Sequence, residues 1–282
     1  MTRWRRPEGA PLVVVDSRGG AAFAELSELV PEPAVVCRGS DPWQLAADVR
    51  DAVSDGIRFI VCVGGDAAYL AAAAGSRDVY GVLLGHGGGP ASLPRSFGLP
   101  PDATRCAPRL IEGTDADLDA VRVTPRRGEP VEFVSMAGWG SFRVAGFGGG
   151  KFGRWGFGLR LGGLWPWRDR VEIRMGDVCR KYRASGLVVA NGEFLAGLDV
   201  VPRAHPGDGK LEILVFEGPA RDLWRILPRV ASGSHLPHAR VRELRPQRAE
   251  IDGTGRVFAD AVDIAKLPAT FEAVTGRLRI AL

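Results

Sequence analysis

Val61-Cys62-Val63-Gly64-Gly65-Asp66-Ala67-Ala68-Tyr69 is the stretch that decides the reading of this chain. An apolar run enters two glycines and an aspartate, and a segment with helical propensity, Tyr69–Ala74, follows. A strand that ends in such a turn presents bare backbone N–H groups at the start of the next helix. Those groups suit an anion such as a phosphate. Gly-Gly-Asp alone recurs at many strand ends, and its neighbours make it more specific. Upstream, Leu12–Val15 reads as a buried strand, Ala21–Val30 as a helix and Ala34–Val36 as a second strand. Ser40 or Asp41 is placed to cap a helix with Pro42 in its first turn and Leu45, Val49 and Val53 on one face. Ile57–Val63 is the third strand and Tyr80–Leu84 the fourth. This alternation over residues 11–100 predicts an open, mainly parallel sheet with helices on both faces.

The texture changes after about residue 120. Glycine is dense between Gly138 and Gly163, and short strand-like runs follow at Val171–Met175, Gly186–Ala190 and Leu211–Phe216. Short strands with frequent turns predict an antiparallel β domain. Leu223–Val230 reads as one helix within it. Trp155, Phe157, Leu159 and Leu161 alternate with Arg154, Gly156, Gly158 and Arg160, a period of two with one apolar face. That pattern fits a sandwich core strand. The alternative is the lining of a lipid cleft or a membrane contact, with Trp165 and Trp167 as interfacial anchors. The expected division is residues 1–120 with 270–282 as an α/β domain, and 121–269 as a β-rich domain.

Composition narrows the class. The 282 residues are 45% hydrophobic and 25% charged, ordinary for a globular protein with a sizeable core. No apolar run approaches a membrane span, and Leu12–Val15 is too short for the apolar core of a signal peptide. Cys37, Cys62, Cys106 and Cys179 are scattered without metal-ligand spacing, which points to reduced thiols and a cytoplasmic location. A net charge of +4 favours anionic partners, nucleotides or acidic membrane surfaces, unless the basic surface has no specific partner.

The order of segments resembles the diacylglycerol kinase catalytic family, which includes bacterial lipid kinases and sphingosine kinases. The family's Asn-Pro-x-Ser-Gly strand end stands here as Asp16-Ser17-Arg18-Gly19-Gly20, and its Gly-Gly-Asp-Gly-Thr loop as Gly64-Gly65-Asp66-Ala67-Ala68. Its Pro-x-Gly-Thr-x-Asn-Asp-x-x-Arg segment corresponds to His86-Gly87-Gly88-Gly89-Pro90-Ala91-Ser92-Leu93-Pro94-Arg95. Leu118-Asp119, Val189-Ala190-Asn191-Gly192, Pro202-x-Ala204, Asp208-Gly209-x-Leu211 and Asp260-Ala261-Val262 continue the series. The resemblance covers nearly the whole chain. It implies an α/β N-terminal domain with a mainly parallel sheet plus an antiparallel β-sandwich-like second domain, with the last strand returning to the first domain. It also implies ATP and Mg²⁺ as cofactors and a lipid hydroxyl as phosphoryl acceptor in the cleft between the domains. No nucleic-acid partner is implied.

The same resemblance assigns Asp66 and Asp260 to the catalytic carboxylates, Gly64, Gly65, Gly88, Gly89 and Arg95 to nucleotide binding, and Asp208 to a structural cation. Each has a plainer alternative: a turn carboxylate for Asp66, Asp208 and Asp260, an empty glycine loop for Gly85–Gly89, and an ion pair for Arg95. His86 stands where the family has proline, either as a new proton-transfer group or as a loop histidine. His235 and His238 read as a surface loop rather than a metal pair. The departures cluster on the chemistry. Ala67 puts a Cβ where backbone meets phosphate, Ala68 and Gly89 each lack a threonine hydroxyl, and Ala91-Ser92 replaces Asn-Asp. Val262 replaces a carboxylate, and Asp16 sets a negative charge near the expected phosphates. The expected activity is therefore ATP-dependent lipid phosphorylation, weakened or lost. The alternative is reuse of the cleft without ATP, as a hydrophobic small-molecule or lipid binder or as a biosynthetic enzyme using His86 or Asp66.

Overall fold

Leu12-Val13-Val14-Val15 and Ile60-Val61-Cys62-Val63 are apolar throughout and buried throughout. Strands of that kind belong inside a parallel sheet covered on both faces. The computed structural model of the chain describes residues 3–5, 8–9, 11–17, 19–27, 35–76, 82–84, 92–100, 103–144, 168–195, 198–219, 222–230, 232–259 and 262–282. It divides into two units, Met1–Ala120 with Thr275–Leu282, and Val121–Val274. The Trp155–Leu161 alternation lies outside the described residues.

The first unit contains β1 (Arg3–Arg5), β2 (Leu12–Asp16), α1 (Gly20–Ser27), β3 (Val35–Gly39), α2 (Pro42–Ser54), β4 (Ile60–Val63), α3 (Asp66–Gly75), β5 (Val82–Leu84), α4 (Ser92–Ser96), α5 (Ala103–Cys106) and the start of β6 (Glu112–Pro125). Its parallel sheet runs β5-β4-β2-β3, with Val15 opposite Val63 on one side and Arg38 on the other. Asp41 caps α2 by accepting the Trp43 N–H at 2.9 Å, and Pro42 sits in the first turn, where its missing N–H costs nothing. Leu45, Ala46, Val49 and Ala52 form the buried face of α2. Val53 is only half-buried. The alanine-rich α3 packs closely on α2 and is buried along Ala68–Ala73.

The chain runs from β2 to β3 on one side, then crosses to β4 on the other. The ends of β2 and β4 are therefore the switch point of the sheet. Open α/β sheets bind ligands in the crevice at such a switch point.

The second unit holds β7 (Val131–Phe133), β8 (Met136–Gly140), β9 (Asp169–Met175), β10 (Val178–Ala184), β11 (Gly186–Ala190), β12 (Phe194–Leu195), β13 (Leu198–Asp199), β14 (Glu212–Phe216), α6 (Leu223–Val230), β15 (Val241–Leu244), β16 (Arg248–Asp252), β17 (Arg256–Ala259), β18 (Val262–Lys266) and the start of β19 (Ala269–Ala281). One antiparallel sheet runs β15-β14-β11-β8-β17-β18, and β10-β9-β16-β19 form another antiparallel set. Leu223, Ile226 and Val230 lie one helical face apart and are buried against Met136, Val188, Leu214 and Phe216, while Arg225 and Arg229 are exposed. Trp139 is wholly buried, and its Nε1–H donates to the Thr254 carbonyl at 2.7 Å. The last residues of β19 belong to the first unit, where Ile280 pairs in parallel with Val82. Among the described residues no helix is long and apolar enough to cross a membrane.

Candidate functional site at the sheet switch point

Asp16 ends β2 and is 6% exposed. Its Oδ2 accepts the Gly65 N–H at 2.7 Å and its Oδ1 accepts the Gly19 N–H at 3.1 Å. Gly65 is the N-cap of α3, and no side chain of its own supplies the cap. The carboxylate of Asp16, from a different strand, instead accepts the N–H of that N-cap residue itself. Two glycines make this approach possible. Gly64 has φ +141°, and a Cβ there would lie 2.0 Å from Asp16 Oδ1. A Cβ on Gly19 would lie 2.1 Å from the Val63 carbonyl oxygen, so the loops after β2 and β4 touch backbone to backbone. Burial, with the Asp16 charge beside it, holds the Cys62 thiol protonated and chemically quiet.

The residues singled out in the sequence are distributed unevenly around this crevice. Gly64 and Gly65 lie between β4 and α3, and Asp66 is the first residue of α3. Ala68, in place of threonine, is completely buried. Ser92 opens the short α4, which packs on α3, and is itself 1% exposed. Arg95 is exposed on that helix's last turn. His86, Gly88, Gly89 and Asp260 lie outside the described residues. Arg277, which no motif or periodicity singles out, donates to the Ser76 and Ala73 carbonyls, both at 3.1 Å, and so caps the C-terminus of α3.

In the second unit Asp208 is held by protein groups. Its Oδ1 accepts the Lys210 N–H at 3.0 Å, as in an Asx turn, and its Oδ2 pairs with Arg245. Nε of the same guanidinium is 2.6 Å from Glu212 Oε1. Glu212 is 5% exposed. Burial and, next, the Asp208 charge push its carboxyl up to about 7 against the pull of Arg245. Among the described residues no three His, Cys, Asp or Glu side chains gather as a metal centre.

The expectation of a surface loop for the histidine pair needs correction. His235 is 5% exposed, and its Nε2 is 2.9 Å from the Val200 carbonyl oxygen. A carbonyl only accepts, so the proton sits on Nε2, and burial lowers the ring's pKa. His238 is half-buried and accepts the Arg240 N–H at 3.1 Å. The spacing missed this because a chain turn, not an apolar run, buries His235.

The cofactor implied by the resemblance is Mg-ATP, and its phosphates require N–H donors at such strand ends. Here the N–H groups of Gly19 and Gly65 already bond a carboxylate that is part of the chain. A phosphate would have to displace it and withstand its charge. In this arrangement Asp16 weakens the fit of the two loops to a triphosphate.

Comparison with known proteins agrees with the architecture. Residues 160–282 match the family model of the YegS C-terminal NAD kinase β-sandwich-like domain. A candidate diacylglycerol kinase from Bacillus anthracis str. Sterne superposes with a TM-score of 0.76 at 16% identity, covering 96% of both chains. The fold is diacylglycerol kinase-like. A further diacylglycerol kinase structure from the same organism matches with a TM-score of 0.69 at 15% identity over 96% of both chains. The wider fold extends to yeast NADH kinase complexed with NADH, at a TM-score of 0.51 and 9% identity, over 96% of this chain and 83% of that one. No curated protein matches. The α/β unit with its parallel sheet and the antiparallel sandwich-like unit are thus those of the diacylglycerol kinase-like fold.

Proposed function

We propose that the chain is a lipid kinase-like protein acting on a diacylglycerol-class lipid hydroxyl, with ATP-dependent phosphorylation weakened to slow turnover. The observation that carries this reading is the position of Asp66. It opens α3 directly after Gly64 and Gly65, at the switch point where a phosphotransferase of this fold places its chemistry. A carboxylate there is the group to accept a hydroxyl proton. The weakening follows from what surrounds it: Ala67 and Ala68 after the aspartate, Ser92 at the start of α4, and Asp16 on the glycine N–H groups.

The test is transfer of labelled γ-phosphate from Mg-ATP to diacylglycerol in mixed vesicles, alongside calorimetric titration with Mg-ATP. Slow transfer and a Kd well above the micromolar range are expected. Micromolar Mg-ATP binding would overturn the weakened-nucleotide part, and absence of any transfer would overturn the kinase part. The Asp66→Asn variant, which must remain folded, should lose roughly 10²-fold in rate or more if the carboxylate is the base. An unchanged rate would remove Asp66 from the mechanism and leave His86 as the next residue to test.

A further inference from the structure

We propose that Asp16 is a built-in anion that selects against phosphates at the switch point, because its carboxylate holds the very N–H groups a phosphate would need. The inference rests on the nucleotide-crevice reading above and deepens it by naming the residue that limits Mg-ATP. Three observations carry it. The first is location: Asp16 is the last residue of β2, and β2 and β4 are the strands between which the sheet changes direction. The second is bonding. Both carboxylate oxygens are used, one on the Gly65 N–H at 2.7 Å and one on the Gly19 N–H at 3.1 Å, so the carboxylate takes a donor from each loop. The third is closure. Gly64 leaves no room for even a Cβ beside Asp16 Oδ1, and Gly19 leaves none beside the Val63 carbonyl. A side chain at either glycine would push the carboxylate or the neighbouring loop away, so both glycines are built around this contact.

An aspartate in this position fulfils the electrostatic role of a bound anion. It places negative charge at the N-terminus of the ten-residue α3, where the helix dipole favours it. A second anion would lose those donors and meet a like charge at short range. Selection then favours ligands that bring a neutral or donor group to the strand ends, and Asp16 becomes a specificity-determining residue of the crevice.

Asp16→Asn is the decisive substitution. The amide keeps the shape but offers one accepting oxygen in place of two. One backbone N–H loses its internal partner, and the crevice loses one negative charge. Calorimetric titration of the wild type and the variant uses three probes: Mg-ATP, inorganic tripolyphosphate and adenosine. The variant should bind Mg-ATP and tripolyphosphate about tenfold more tightly or better, with adenosine little changed. The tripolyphosphate and adenosine arms separate an anion effect from a base effect. Asp16→Ser, shorter and neutral, should move affinity in the same direction, and it replaces the Asn variant if that one fails to fold.

Unchanged or weaker tripolyphosphate binding in a folded neutral variant overturns the inference. Loss of folding in both variants also overturns it, since Asp16 would then be a support for the loops rather than a selector. The two readings fail separately. Lipid phosphorylation by the wild type with no gain in the variants leaves the kinase-like function standing and removes the selector. Tighter tripolyphosphate binding with no phosphoryl transfer in any form of the protein keeps the selector and removes the kinase.

Discussion

Asp16 and Glu212 are both buried carboxylates, yet their surroundings treat them differently. Asp16 meets two backbone N–H donors. Glu212 shares one guanidinium with Asp208, and its carboxyl is pushed up to about 7 from an ordinary 4.5. Between those two values the folded chain keeps a proton that the unfolded chain has released. The Glu212 contribution to stability therefore falls as pH rises from about 4.5 to about 7 and stays lost above that. Glu212→Gln has nothing to ionise at this position. The stability of the variant relative to wild type should rise between pH 5 and pH 8, read from denaturant midpoints, while Arg245 keeps Asp208 as its partner. Parallel pH profiles for the two proteins would show that Glu212 titrates normally. Residue types alone did not distinguish these two acids, because neither Asp16 nor Glu212 is flanked in sequence by its partner.

At the scale of elements, α3 is held at both ends by side chains from elsewhere in the first unit. Asp16 serves its N-terminus, and Arg277 bonds the Ser76 and Ala73 carbonyls at its C-terminus. Each charge complements the helix dipole at the end it occupies. Arg277→Met keeps much of the apolar stem and removes the guanidinium. It should cost about 1–2 kcal/mol of stability, with earlier amide exchange in the last turn of α3. Unchanged exchange at Ala73–Ser76 would rule out the cap. By contrast α2 needs no remote help: Asp41, Pro42 and the spacing of Leu45 and Val49 state its start and its buried face within twelve residues of sequence, roughly the span of three helical turns.

The whole molecule depends on a strand that belongs to both units. β19 begins in the second unit, and Thr275–Leu282 belongs to the first, where Leu278, Ile280 and Ala281 are buried and Ile280 pairs with Val82. Thr114 and Leu282 also exchange backbone hydrogen bonds at 2.8 and 2.9 Å. A chain ending at Val274 should keep its second unit folded and lose cooperative unfolding of the first, seen as rapid proteolysis within residues 11–100. Equal protease resistance of both units after truncation would show that the last strand is dispensable.

Elements whose cause is local are legible along the chain. Apolar runs at Leu12–Val15 and Ile60–Val63 state buried parallel strands, Asp41-Pro42 states a helix start, and Gly186–Ala190 and Leu223–Val230 coincide with β11 and α6. Periodicity and capping act over a few residues, so they can be read along the chain. Motif order also carried the two-part architecture. Tertiary structure alone decided which polar groups meet. Asp16 finds Gly65 across 49 residues, Asp208 finds Arg245 across 37, and Arg277 finds Ala73 across 204. Strand order sets those encounters, because the crossover from β3 to β4 brings the end of β4 beside the end of β2. The sequence marked Asp16 as a charge near expected phosphates. Only the folded chain shows that the charge already bonds the N–H groups of Gly19 and Gly65, which a phosphate would require.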